Sequence, residues 1–295
     1  MNKLKICIVG IGLIGGSIGL AIKKNLKEAV YISGLDKNPE TLRIAVERGA
    51  VDIATSEAKE AVKEADIIFL STPVLQIVPM IEEILPFLKN GAIITDTGST
   101  KQFIWQQLQK ILPPDIYYIA GHPMAGKEHS GIKAADAELF HNKCYVIVED
   151  TGAPQEAVNR ICDLLKVTGA NITTMDIAKH DRCASIISHV PHVTAAALVT
   201  LLNKSKNDIE ANLKLAGGGF KDTTRIASSN ADMWADICMS NPEAIVNHLE
   251  ELKHILDEVI INIKDKNREN IYEYFHAAKQ RRDNILDKTH NLFEI

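Results

Sequence analysis

The residues best placed to do chemistry in this chain are histidines set among small residues. The stretch GHPMAGKEHSG (121–131) puts His122 in a short loop after an apolar run. A loop histidine is a general base near neutral pH if its pKa stays near about 6.5, but His122 reads equally as an ordinary loop residue. DTGSTK (96–101) offers Ser99. Its hydroxyl can bond a ligand or a catalytic histidine, or cap the next helix in a capping box with Gln102. SHVPH sets His189 and His192 three residues apart, on one helical face. With no H-E-x-x-H and no third ligand at suitable spacing, the pair suits a core or substrate-facing role and no metal is expected. GGGFKDTTRIA (217–227) carries Asp222 and Arg225 three apart. They read as a surface pair, or as a guanidinium fork offered to a carboxylate.

A cofactor turn precedes all of these. GIGLIGG gives G-x-G-x-x-G at Gly10, Gly12 and Gly15, between an apolar strand and a helix. The first glycine allows a tight turn, the second lets backbone approach a pyrophosphate, and the third lets helix and strand pack closely. Leu13 and Ile14 open the helix, whose free N–H groups face the phosphates. Asp36 ends the second strand roughly 20 residues on, where an acid accepts ribose hydroxyls and repels a 2′-phosphate. The expected cofactor is therefore NAD rather than NADP. Ser71, Thr72 and Pro73 end another strand, either lining the cofactor cleft or forming a plain turn.

These residues need a frame. Apolar runs at 5–10, 30–36, 66–72, 92–96, 116–121 and 143–149 alternate with helical patterns. A helix near 154–167 and a strand near 171–175 complete the set. Such alternation indicates β-α-β units and an α/β, doubly wound, Rossmann-type parallel sheet over residues 1–175. Residues 176–295 read as an all-α domain. Its first long helix runs over 176–205 with a kink or split at Pro191, and a second begins at Pro242. Long amphipathic helices of this kind pair across two-fold axes, so a homodimer through this domain is expected.

The chain has 295 residues, 46% of them hydrophobic and 24% charged, with net charge −5, an ordinary globular composition. No basic run suggests nucleic acid or an anionic membrane. Five scattered cysteines without a C-x-x-C suit reduced thiols and a cytoplasmic location. The basic start and apolar stretch 6–22 imitate a leader, but interrupting glycines and the following KKNLK fit strand, turn and helix better. No other segment is expected to span a bilayer.

The ordered set GIGLIGG, DTGSTK, GHPMAGKEHSG, SHVPH and GGGFKDTTRIA, covering nearly the whole chain, resembles the prephenate dehydrogenase family, which includes arogenate and cyclohexadienyl dehydrogenases. The resemblance implies oxidation of a ring alcohol by hydride transfer to NAD, with loss of the ring carboxylate as carbon dioxide. By that resemblance, His122 assists deprotonation of the ring hydroxyl and Ser99 helps orient the pair. Arg225 binds a substrate carboxylate, His192 lines the pocket, Glu128 gates access and Asp222 holds Arg225. Lys101 and His189 stand behind them. The choice between prephenate and arogenate rests on pocket residues outside these motifs. Neither a C-terminal regulatory domain nor a fused mutase domain is expected. Two rivals remain: another NAD(P) dehydrogenase with a helical second domain, and an NAD-sensing module without turnover. Neither has a need for SHVPH and GGGFKDTTR together.

Overall fold

The computed structural model describes residues 3–127, 129–204 and 208–293. Six parallel strands form the main sheet: β1 (Leu4–Val9), β2 (Val30–Leu35), β3 (Ile53–Thr55), β4 (Ile67–Leu70), β5 (Ile93–Asp96) and β6 (Tyr117–Ile119). Their order is β3-β2-β1-β4-β5-β6. The connecting helices are α1 (Leu13–Leu26), α2 (Pro39–Glu47), α3 (Ala58–Val62), α4 (Val74–Ile84) and α5 (Gln102–Leu108).

The two-residue period of β1 explains why both faces are covered. Ile6 and Ile8 point into one core with Ile18 and Ile22 of α1. Cys7 and Val9 point into the other with Ile77 and Ile81 of α4. Each fully buried aliphatic side chain contributes about 1.5–3 kcal/mol, so a continuous apolar strand is stable only between two helical layers. The leader-like stretch is thus a central strand, the glycine turn and the start of the helix that covers it. β3, a three-residue edge strand with an exposed Ile53, escapes sequence detection because it has no apolar run to mark it.

The single strand expected over 116–121 is two strands. β6 ends at Ile119, and β7 (Gly121–Pro123) pairs antiparallel with β8 (Cys144–Val148), which pairs parallel with β9 (Asn171–Met175). The sheet change follows from Asp96, whose carboxylate accepts the Gly121 N–H at 3.2 Å. α6 (Gln155–Lys166) joins β8 to β9 and buries Ile161 and Leu165 in the first core.

Among the described residues no strand follows Met175. The helices are α7 (Ile177–Ala184), α8 (Val190–Lys204), α9 (Ile209–Leu215), α10 (Gly218–Thr224), α11 (Ala231–Ser240), α12 (Pro242–Lys264) and α13 (Arg268–Phe293). α7 and α8 are one helix, and it does not break at Pro191. A π turn at Ser185–His189 lies just before the proline, and the Val190 N–H reaches back to the Ser185 carbonyl. Helix 177–204 is long and apolar enough to cross a membrane by length and composition, which corrects the expectation that no such segment exists. Its first turns bury His180 and Asp181. The chain divides into two compact units, Met1–Pro242 and Glu243–Ile295. The change from strands to helices at Met175 therefore falls inside the first unit.

Candidate active site

β1 and β4 are neighbours whose connections leave in opposite directions, and ligands of doubly wound sheets bind at such a switch point, outside the carboxyl strand ends. Gly10 sits there with φ +82°, and a Cβ on it would lie 2.8 Å from the Ser71 carbonyl oxygen. A Cβ on Gly15 would collide with the Gly10 carbonyl oxygen, so α1 presses directly on the turn. A Cβ on Gly12 would meet nothing within 4 Å, so this backbone is open to a ligand. α1 starts at Leu13 and Ile14 with no side-chain cap, which leaves its first N–H groups and positive end available to phosphate. Asp36 Oδ2 accepts the Ile11 N–H at 3.0 Å and Oδ1 the Asn38 N–H at 2.9 Å, so the carboxylate is braced beside the turn. The hydroxyls of Ser71 and Thr72 are buried without a hydrogen-bond partner among the described residues. Pro73, exposed, immediately precedes α4. Open glycine backbone, uncapped helix and orphaned hydroxyls together fit a dinucleotide.

His122 lies on β7, next along the chain from the sheet change, and is 7% exposed. Its Nδ1 is 2.8 Å from His180 Nε2. His180 Nδ1 is in turn 2.7 Å from Asp181 Oδ1. The Asp181 carboxylate accepts the backbone N–H groups of Lys101 and Gln102, each at 2.9 Å. Burial, then the nearby His180, Lys101 and His189, push His122 well below the ordinary histidine range. It is neutral at neutral pH, as a base must be.

The turn after β5 is braced by a buried ion pair. Lys101 Nζ contacts the Asp96 carboxylate and donates to the Gly121 carbonyl at 2.6 Å. Asp96 also accepts the Tyr118 hydroxyl at 2.8 Å and the Gly98 N–H at 2.9 Å. Ser99 is half-buried in this turn, but it does not cap α5, and the Ser99–Gln102 capping box is not formed. The cap comes from Asp181 on α7, which fills both front donors and leaves the Ser99 hydroxyl out of that role. The Thr100 hydroxyl bonds Ser240 Oγ at 2.9 Å, tying the turn to α11.

His189 and His192 share a face, and both meet Trp234. His192 stacks on the indole with centroids 3.8 Å apart, and His189 meets it edge-on at 6.1 Å. His192 Nδ1 bonds the Ser188 carbonyl at 2.8 Å, and burial with the Arg225 charge lowers its pKa. His189 is fully buried and its pKa is pushed down to about 4, chiefly by desolvation. Asn241 approaches His189 Nδ1 at 3.3 Å and donates to the Asp181 carbonyl at 2.9 Å. Trp234 Nε1 and His189 Nε2 are buried without a partner among the described residues. Arg225, exposed, follows α10, with exposed Asp222 one turn earlier. Glu128 lies outside the described residues.

His180, Asp181, Trp234 and Asn241 were not singled out from the sequence. A signal for two of them existed. Ile177, His180, Asp181 and Ala184 form the buried stripe of α7 at spacings of three and four, where apolar residues belong. An ionisable pair on such a stripe has partners in the core.

A dinucleotide turn after β1 and a neutral, buried histidine on β7, beside the turn after β5, define a nicotinamide-dependent dehydrogenase. Residues 18–174 match the family model for the prephenate dehydrogenase nucleotide-binding domain, and residues 176–277 the one for its dimerization domain. A prephenate dehydrogenase of Bacillus subtilis is 38% identical over 288 residues, 97% of this chain and 77% of that one. A cyclohexadienyl dehydrogenase of Zymomonas mobilis is 32% identical over 94% of each chain. The crystal structure of the A. aeolicus prephenate dehydrogenase with hydroxyphenyl propionate and NAD+ superposes with TM-score 0.90 at 29% identity, covering 97% of this chain and 99% of the other. The chain belongs to the prephenate dehydrogenase family.

Proposed function

We propose that the chain catalyses NAD-dependent oxidative decarboxylation of prephenate to 4-hydroxyphenylpyruvate. The observation that carries this reading is a buried, neutral His122 on β7, beside the turn that follows β5 of the sheet whose β1 ends in an open dinucleotide turn. NAD, when bound, accepts the hydride of the ring carbinol. His122 Nε2 takes the hydroxyl proton, and loss of the ring carboxylate as carbon dioxide leaves its electron pair in the new aromatic ring. Ser99 orients the hydroxyl. Arg225 supplies a permanent charge for a carboxylate, with Asp222 steadying it. His192 and its stacked Trp234 line the ring pocket, and Glu128 gates it. Gly10, Gly12, Leu13, Ile14 and Gly15 receive the pyrophosphate, Asp36 the ribose, and Ser71, Thr72 and Pro73 the rest of the cofactor. Steady-state rates with prephenate and arogenate side by side test the substrate. A higher kcat/KM for arogenate would move the assignment to the amino-bearing substrate.

A homodimer in the cytoplasm completes the proposal. Ile186 and Ile187 on the long helix are exposed, as are Ile255, Ile260 and Phe275 on α12 and α13. A second copy is the proposed cover for these apolar faces. Light scattering that returned a monomer mass at working concentration would contradict it.

A further inference from the structure

Within that proposed reaction, we infer that His180 and Asp181 are positioning residues that set the tautomer of His122 and receive its proton by relay. The inference rests on donor counting. Asp181 faces only donors: the Lys101 N–H, the Gln102 N–H and a ring nitrogen of His180. A carboxylate held by two backbone N–H groups at a helix start is an ionised acceptor. His180 therefore carries a proton on Nδ1, toward Asp181, and a singly protonated His180 ring presents a lone pair at Nε2. Across the 2.8 Å contact, His122 must then donate from Nδ1. Its Nε2 is left with the lone pair a base needs. The opposite tautomer would set two lone pairs against each other in a buried contact.

The same chain moves charge. His122, His180 and Asp181 are 7%, 2% and 3% exposed, so a proton taken from substrate has no direct route to water. As the alcohol O–H breaks and its proton binds His122 Nε2, the proton on Nδ1 passes to His180 Nε2. His122 is again neutral, and the positive charge rests on His180 beside the Asp181 carboxylate. No electrons are exchanged in the relay. The other ionisable groups packed around the dyad are Lys101 on the turn after β5 with its partner Asp96, Tyr118 on β6 and His189 on the π turn. Lys101 is paired with Asp96, which leaves Asp181 as the anion that His180 contacts.

The relay is tested by ¹⁵N NMR of the histidine rings in the resting protein, and by kcat/KM against pH for His180→Gln and Asp181→Asn. The expected spectrum shows His122 protonated at Nδ1 and unprotonated at Nε2. The expected rates are kcat lower by about 10²- to 10⁴-fold with an unchanged KM for NAD. In Asp181→Asn the acid limb moves to lower pH, because the pair loses the anion that favours its added proton. If Asp181→Asn does not fold, for want of its cap on α5, the NMR result and His180→Gln decide. A His122 protonated at Nε2, or a folded His180→Gln with wild-type kcat, overturns the relay. Absence of turnover with prephenate in the wild type would reject the reaction instead, leaving the tautomer to be judged by NMR.

Discussion

Lys101 and Asp96 form an ion pair in which neither side chain has any solvent exposure. Desolvation pulls the Lys101 pKa down, and the Asp96 charge opposes it. Removing one partner of such a pair leaves a charge buried alone, at a cost of about 3–5 kcal/mol. Lys101→Met should lower the unfolding free energy by that order, read from urea denaturation. It also frees the Gly121 carbonyl beside His122, so kcat should fall in whatever fraction stays folded. A stability within 1 kcal/mol of wild type would show that the pair is not the brace described.

His122→Asn should lower kcat by about 10²- to 10⁴-fold while leaving NAD affinity, followed by fluorescence titration, nearly unchanged. Its lowered pKa also sets a pH dependence. The neutral, basic form persists below the ordinary value of 6.5, so kcat/KM should hold as pH falls through that value and decline only at lower pH. A near-wild-type kcat in the variant would remove His122 from the chemistry.

His189 makes a stability prediction of definite sign. Its pKa is lowered from 6.5 to about 4, so between those values the folded protein binds fewer protons than the unfolded chain. The contribution is complete above pH 6.5 and is lost as pH falls toward 4, by up to about 3 kcal/mol. His189→Gln has no ring to protonate, so its stability should fall less than wild type over that interval. Parallel losses in the two proteins would mean that His189 is not held neutral.

Asp36→Ala should erode the preference for NAD over NADP, since the carboxylate beside the glycine turn is what repels a 2′-phosphate. The ratio of kcat/KM values for the two cofactors measures this directly. An unchanged ratio would mean that discrimination lies elsewhere.

Much of the site was legible because it follows local rules. Strand ends carry Gly10, Ser71 and Asp96, and the alternation of β1 announces two covered faces. What escaped was tertiary. The pairing of His122 with His180 spans 58 positions, and the helical period of α7 shows which face is buried but not what it meets. The Ser99 cap failed for a related reason. A local capping motif competes with any acceptor the fold delivers, and Asp181 reaches Lys101 from 80 positions away. The break between β6 and β7 was invisible because the apolar run continues through Ala120 to Gly121, where β7 has already started. Only the Asp96 side chain, from a neighbouring strand, takes the Gly121 N–H and ends the ladder.

The most direct measurement mixes the purified protein with NAD and prephenate and follows absorbance at the NADH band, with product identified by chromatography. NADH and 4-hydroxyphenylpyruvate should form in equal amounts, at a rate abolished or nearly so by His122→Asn. Folded, NAD-binding protein that forms no NADH from prephenate would contradict it.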